Sequence, residues 1–518
     1  MVRWVNLQIG DLLPIPSTPL LAAKLPVSIS NPNPSIFPLV SSMDSIVNRP
    51  KRRNRRIETL GIASLDDDSD PPPRRPVQAQ LNAVATEDME DFSRVESESI
   101  RASLLQWYDR HHRALPWRTE SSKGQSGKKK DGVDERAYAV WVSEVMLQQT
   151  RVSVVVEYYN RWMEKWPTIR HLASASQEEV NEMWAGLGYY RRARFLLEGA
   201  KAIVKVGEFP RTALALHEVP GIGNYTAGAI ASIAFNEVVP VVDGNVVRVI
   251  SRLKAISANP KRSAAVKGFW KLAGQLVDPS RPGDFNQALM ELGATLCSKT
   301  SPGCSRCPVS NQCRAFSLSR GSEKVKVTDF PTKVLKAKPR NDFSAVCVVQ
   351  IVEVSEKEMP SGTDKRNAFL LVKRPEEGLL AGLWEFPSVL LDEELTNVIT
   401  RRAEMDKYLN KLLNLDVKRD YNVVSREDVG EHVHIFSHIR LRMFVELMIL
   451  TTKGNLDKLS NNQEECTPHW KYVDENSISS IGLTSGVRKV FNMIKSFKEK
   501  QPSQVTRTSR KKVKRLKS

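Results

Sequence analysis

Apolar side chains recur at helical spacing from Val95 onward. Ile100, Leu104, Leu105 and Tyr108 fall on one face, and a 3.6-residue period of this kind predicts an amphipathic helix. The same pattern predicts helices at about 138–163, 176–186, 189–206, 223–235, 244–257, 262–278 and 284–297, with turn signals such as Val219-Pro220-Gly221 between some of them. This first region is all-α and ends in a cysteine-bearing loop. Residues 119–136, rich in Ser, Gly and Lys, read as a flexible insertion.

From Phe343 the period changes. Runs at 343–354, 367–373 and 432–450 are strand-like, and a helix is predicted near 401–413. A second, α+β domain therefore occupies 343–497, after an all-α domain at 93–316. Residues 317–342, Lys-rich with Pro331 and Pro339, read as the linker between them. No apolar period survives in residues 1–92, which read as disordered. Their start, with seven prolines and the single acid Asp11 before residue 44, fits an organelle transit peptide as well as a plain tail. Residues 498–518 read as a disordered basic tail, whose last 13 residues hold seven Lys/Arg and no acid. Such a tail is a nuclear address or a DNA-binding arm.

Composition narrows the partners. The chain has 518 residues, with 77 Lys+Arg against 59 Asp+Glu and a formal charge of +18. A surplus of that size favours a polyanion, nucleic acid first. An anionic membrane surface is the competing partner for such a charge, but no run of apolar residues is long enough to span a bilayer, and nucleic acid rather than a membrane is the expected partner. Six cysteines are too few for a disulfide scaffold at this length. Four of them, Cys297, Cys304, Cys307 and Cys313, lie within 17 residues, while Cys347 and Cys466 stand apart. This distribution points to one metal centre in a reducing compartment.

Three constellations carry candidate chemistry. The cysteine spacing C-x6-C-x2-C-x5-C can enclose a small metal centre. Tetrahedral zinc is one occupant; the long outer arms favour a larger [4Fe–4S] cluster. Lys299, Arg306 and Arg314 punctuate that loop and can meet phosphates. Gly221 and Gly223 precede a predicted helix start at Asn224. Glycines there permit a backbone phosphate clamp, although an ordinary turn needs them too. The third constellation is a pair of acids. Glu144 has Val140, Trp141, Leu147 and Gln148 as its helical neighbours, so burial should raise its pKa and suit it to general-acid work. Asp243 ends an apolar run before Gly244-Asn245 and a helix, where amide donors should keep it ionised. Two acids pushed in opposite directions divide acid and anion roles. The plainer readings are a simple helix cap for Asp243 and a solvent-edge position for Glu144.

The runs Leu115-Pro116-Trp117-Arg118, Val140–Thr150, Gly186-Leu187-Gly188-Tyr189-Tyr190, Pro220–Ala229, Val242-Asp243-Gly244-Asn245 and the four cysteines together resemble the MutY family of adenine DNA glycosylases. The resemblance covers about 95–497. It implies a helix–hairpin–helix glycosylase with one [4Fe–4S] cluster, followed by a MutT-like (Nudix-type) domain. It implies double-stranded DNA with 8-oxoguanine:adenine or guanine:adenine mispairs as partner, adenine being flipped out for excision. Glu144 would protonate adenine and Asp243 would stabilise the oxocarbenium-like sugar, with Tyr225 and Asn245 holding that sugar. Trp117, Arg118 and Gln287 would line the adenine pocket, and Gln149 and Tyr189 would wedge into the stack. Without the family, Tyr189 and Tyr190 read equally as core aromatics. Phe436-Ser437-His438 matches the loop with which the family reads 8-oxoguanine; it also reads as an ordinary turn.

Bifunctional endonuclease III-like relatives carry a lysine where this chain has Tyr225, so the resemblance implies a mainly monofunctional enzyme. Hydrolytic Nudix relatives carry a glutamate-rich helix. Arg401-Arg402-Ala403-Glu404-Met405-Asp406 departs from that pattern, which implies binding without pyrophosphohydrolysis. Replication or mismatch-repair proteins are further partners that the family suggests, with the chain itself a monomer. The expected address is the nucleus, with mitochondrion or plastid as a second destination. Two other readings are a non-catalytic iron–sulfur damage sensor and a nucleotide hydrolase run by the C-terminal domain.

Overall fold

The computed structural model describes residues 89–118, 130–334, 338–353, 367–375, 377–392, 397–413, 422–452 and 469–500. The expected disordered arm before residue 89, most of the flexible insertion and the basic tail from 501 lie outside the described residues.

Helix α1 (Arg94–His111) starts at a capping box. Ser93 accepts from the Glu96 backbone while Glu96 reaches back to Ser93, satisfying two of the free amides of a helix start. The expected single helix at 138–163 is two helices, α2 (Lys130–Leu147) and α3 (Val152–Lys165). The break falls at Gln149, whose φ of 58° cannot continue a right-handed helix. The start of α2 also lies inside the region whose composition suggested an insertion. Short helices α4 (Ile169–Ala173) and α5 (Gln177–Trp184) follow, then α6 (Arg191–Val206), α7 (Ala213–His217), α8 (Asn224–Phe235), α9 (Gly244–Leu253), α10 (Ser263–Leu276) and α11 (Pro282–Thr295).

These helices bury two apolar cores. One gathers Tyr138, Trp141, Trp162, Trp184, Leu196 and Ile230. The other gathers Ile100, Leu104, Val246, Ile250, Phe269 and Phe285. Helix α11 lies against both α8 and α9, and glycines make that approach possible. A Cβ on Gly283 would fall 2.6 Å from Ser232 O, and one on Gly293 would fall 2.6 Å from Asn245 Cβ. Any side chain there would push the helices apart.

Beyond the cysteine loop comes α12 (Arg314–Gly321). The expected linker is partly structured, because Val327 and Phe330 are buried against Ala315. The second domain is a mixed sheet of β1 (Arg340–Glu353), β2 (Asn367–Lys373), β3 (Trp384–Glu385), β4 (Ser388–Leu391), β5 (Asn422–Ile435), β6 (Ile439–Thr452) and β7 (Trp470–Asp474), in the order β3-β2-β1-β6-β5. Strands β1 and β6 run parallel, from Arg340 opposite Ile439 to Glu353 opposite Thr452. Helix α13 (Val398–Leu413) covers one face through Met405, Leu409 and Leu412. After the short helix α14 (Glu475–Ser480), α15 (Ser485–Lys500) covers the other through Val490, Phe491 and Ile494. The alternating apolar rows on both sheet faces explain why two helices are needed. Leu383 is buried in the first helical core, and Tyr190 Oη donates to Leu483 O at 3.5 Å. Among the described residues no helix is long and apolar enough to cross a membrane.

Candidate functional site

Glu144 lies on α2 and is 6% exposed, with Val140 and Trp141 buried one turn before it. The solvent-edge reading therefore falls. Burial raises its carboxyl, a hydrogen bond from Tyr225 lowers it, Asp243 raises it and Arg118 lowers it, and together they set it at about 7. That bond runs from Tyr225 Oη to Glu144 Oε2 at 2.5 Å. Tyr225 stands in the first turn of α8, and its oxygen also meets Met290 Sδ at 3.4 Å.

Asp243 caps α9. Its Oδ1 accepts from the backbone of Asn245 at 2.8 Å and of Val246 at 2.7 Å, and its Oδ2 accepts from Asn245 Nδ2 at 2.9 Å. Such donors on their own would keep the group ionised at low pKa. Instead burial outweighs them and raises Asp243 to about 6. The two acids are displaced in the same direction, because both sit within low-dielectric protein.

Asn245 is held by Arg248, which sends Nη2 to Asn245 Oδ1 at 2.8 Å and to Gly293 O at 2.6 Å. Its Nε donates to Cys297 O at 2.8 Å. This fixes the amide so that its NH2 faces Asp243. It also joins the acid to the cysteine loop.

Arg118 is committed to a partner that local sequence could not reveal. Its Nη2 donates to Glu291 Oε2 at 3.0 Å. Arg113 grips the same carboxylate through Nε at 2.6 Å and Nη2 at 2.8 Å. Burial opposes ionisation of Glu291, but the two guanidiniums outweigh it and hold the pKa below the ordinary value. Trp117 packs edge-on to Tyr159 at 5.2 Å. Gln287 is buried on α11, with its amide donating to Gly283 O at 3.3 Å.

The two clamp glycines differ. Gly221 has φ +82°, and a Cβ there would fall 2.4 Å from Phe195 Cβ, so the fold itself demands glycine. Gly223 has an ordinary φ of −92° and nothing within 4 Å of an added Cβ. Among the described residues nothing explains glycine at 223, which leaves open space before the amides of α8. Gln149 and Tyr189 both adopt positive φ, at 58° and 50°. Tyr189 is 46% exposed and Tyr190 is buried, so only the second is a core aromatic.

Phe436-Ser437-His438 forms the turn between β5 and β6, with Phe436 N bonded to Ile439 O at 2.8 Å. Ser437 and His438 are exposed and in mutual contact at 3.0 Å. Phe436 packs edge-on to His434 at 4.6 Å.

The four loop cysteines carry no disulfide and line one pocket, together with Arg252, Leu296, Phe316 and Val327. Arg252 Nη1 points at Cys297 Sγ from 3.1 Å. Burial pushes the thiols of Cys307 and Cys313 up to about 12 and about 11. Among the described residues no three His, Cys, Asp or Glu side chains converge to hold a single ion. Four thiols lining one pocket are a donor set of the kind that thiolate-bound metal centres use. Lys299 and Arg306 are exposed on this loop, and Arg314 pairs with Glu90 at 2.8 Å.

Comparison with known proteins agrees with this architecture. Residues 142–275 match the family described as HhH-GPD superfamily base excision DNA repair protein, and residues 362–493 match the NUDIX domain family. Adenine DNA glycosylase of Arabidopsis thaliana is 56% identical over 426 residues, covering 78% of this chain and 65% of the relative. Those of Mus musculus and Homo sapiens are each 41% identical, over 77% and 76% of this chain and 79% and 74% of the relatives. A helical glycosylase domain followed by a Nudix-like domain, with this identity across both, places the chain in the adenine DNA glycosylase (MutY) family.

Proposed function

We propose that this chain hydrolyses the N-glycosidic bond of adenine paired with 8-oxoguanine or guanine in double-stranded DNA. The observation that carries the reading is Glu144, a buried acid with pKa near 7 and a tyrosine hydroxyl 2.5 Å away. Half-protonated near neutrality, it delivers a proton to the flipped adenine ring, which then leaves with the bonding electrons. Asp243, ionised above about 6, faces the positive charge that develops on the sugar, and water completes hydrolysis. Asn245 orients Asp243; Tyr225 holds Glu144. Trp117, Arg118 and Gln287 line the adenine pocket. Gln149 and Tyr189 enter the stack, the open backbone at Gly223 meets a phosphate, and Phe436, Ser437 and His438 read 8-oxoguanine.

Tyr225 occupies the position where a lysine would form a Schiff base, which supports hydrolysis without strand cleavage. In the Nudix-like domain, Arg426 binds Asp406 at 2.6 Å and Glu446 at 2.7 Å. With the run Arg401–Asp406 departing from the glutamate-rich helix of hydrolytic relatives, this supports lesion binding rather than metal-dependent pyrophosphate hydrolysis. Cys297, Cys304, Cys307 and Cys313 would hold one [4Fe–4S] cluster, which supplies a rigid covalent tie across the loop. The basic tail supports a nuclear address; a tagged chain lacking 506–518 that remains nuclear removes that argument.

The test is single-turnover base release by the Glu144→Gln chain on an 8-oxoguanine:adenine duplex. Loss of adenine release with retained DNA binding is expected, and full-rate release overturns the assignment. A damage sensor without chemistry would show no release by the unsubstituted chain either.

A further inference from the structure

Arg192, at the start of α6, joins two loops that are distant in sequence. Its Nη1 donates to Val145 O at 2.8 Å, Met146 O at 3.1 Å and Gln148 O at 2.5 Å, where α2 ends. Its Nη2 donates to Gly188 O at 3.0 Å, Leu187 O at 3.4 Å and Thr150 Oγ1 at 3.4 Å. All six acceptors are neutral, and no carboxylate is among them. Its Nε is buried and has no acceptor among the described residues. A part-buried guanidinium with no counterion among the described residues is an arrangement kept for geometry, since neutral carbonyls do not fully repay desolvation of the charge.

The two loops carry Gln149 and Tyr189, both in left-handed backbone. Non-glycine residues rarely adopt that conformation, and they persist in it only where their surroundings impose it. Arg192 supplies those surroundings on both sides. It binds the carbonyls immediately before Gln149 and before Tyr189. The Tyr189 ring lies 5.6 Å from the same guanidinium, and the Trp184 ring lies 5.2 Å away. Trp184 Nε1 adds a third hold by donating to Gly188 O at 2.9 Å. Two strained residues held by one side chain form a single unit.

We propose that Arg192 is a positioning residue that locks Gln149 and Tyr189 into one rigid wedge, so that both enter the DNA together beside the lesion. The inference rests on the reading above that these two residues enter the stack. Arginine suits the task because its planar fork spans two sets of carbonyls. Lysine, a compact charge with three donors, cannot grip both loops at once.

The experiment uses the full chain unsubstituted, Arg192→Lys and Arg192→Met, on an 8-oxoguanine:adenine duplex with 2-aminopurine next to the lesion. Unstacking by the wedge raises 2-aminopurine fluorescence, a signal that a merely structural arginine would not move per folded molecule. Melting temperature, affinity for undamaged duplex and the saturating single-turnover rate are measured beside it. For Arg192→Met the fluorescence rise is expected to vanish and the saturating rate to fall about 100-fold, the scale of a misplacement near 1 Å. Affinity for undamaged duplex should stay within about threefold, because phosphate contacts are untouched. Arg192→Lys should fall between the two in both signals.

A folded Arg192→Met chain with full fluorescence and rate overturns the inference. So does a rate loss that only follows the folded fraction, and so does failure of both variants to fold. If the unsubstituted chain raises fluorescence but releases no adenine, the proposed function fails while the wedge arms still decide the role of Arg192.

Discussion

The hydroxyl of Tyr225 stands 2.5 Å from Oε2 of Glu144 and donates a hydrogen bond to that buried acid. The two residues come from different helices of the same core. A donor to the carboxylate stabilises its ionised form, so Tyr225 holds the Glu144 pKa below the value that burial alone would set.

Tyr225→Phe should therefore raise the Glu144 pKa above about 7. The alkaline limb of the pH–rate profile should move upward, with a modest loss at its maximum. Glu144→Gln should remove that limb and lower the single-turnover rate by about 100-fold or more, the usual weight of a general acid. An unmoved limb in Tyr225→Phe means that another group titrates there.

In the unsubstituted chain, activity needs Glu144 protonated and Asp243 ionised. The rate should fall as pH rises through about 7 and as it drops through about 6. Both acids have folded-state pKa values above their ordinary ones. Folding therefore takes up protons, and their contribution to stability is lost as pH rises from the ordinary carboxylate range through about 7. Comparing the melting temperature at about pH 5.5 with that at about pH 8 checks the sign. A higher melting temperature at the alkaline end would mean that other titrating groups outweigh these two.

Gly221 and Gly223 should separate by assay. Gly221→Ala meets both a positive φ and Phe195, and should cost about 1–3 kcal/mol of stability. Gly223→Ala meets neither and should leave stability unchanged. It should weaken DNA binding by about 1.5–3 kcal/mol, the worth of a hydrogen bond to a charged group, on damaged and undamaged duplex alike. Calorimetry and a binding titration at fixed salt read the two outcomes, and a destabilised Gly223→Ala chain would contradict the open space seen there.

Glu291→Ala leaves the guanidiniums of Arg113 and Arg118 without their shared, buried counter-charge. A loss of about 3 kcal/mol is expected from breaking a buried pair on one side only. Chemical denaturation measures it. Stability within about 0.5 kcal/mol of the unsubstituted chain, the range of an ordinary surface change, would show that water replaces the carboxylate.

On the proposed cluster assignment, Cys307→Ser should abolish tight retention of iron and sulfide and lower the melting temperature, because the loop from Cys297 to Cys313 would lose its cross-tie. Metal and sulfide content per chain provides the check. Full iron and sulfide content in that variant would remove Cys307 from the ligand set.

Much of this protein is legible in its residues taken one after another. Helical spacing marks the first domain, strand periods mark the second, and the clustered cysteines mark residues that line one pocket. The apolar neighbours of Glu144 foretell its burial because helical neighbours at three and four residues are set by local geometry alone. The cap at Asp243 is visible for the same reason, as its donors lie two and three residues away.

What the sequence leaves undecided depends on residues brought together across the fold. Glu291 serves Arg113 and Arg118 over separations of 178 and 173 residues. Arg192 unites loops around 149 and 189, and only the backbone reveals that both residues are left-handed. The pKa of Asp243 runs against the local expectation because nearby donors can be counted in a sequence, whereas desolvation depends on everything packed around them. Local chemistry determined which groups this chain holds; tertiary packing decided their pKa values and partners, because dielectric surroundings and long-range contacts exist only once the chain has folded.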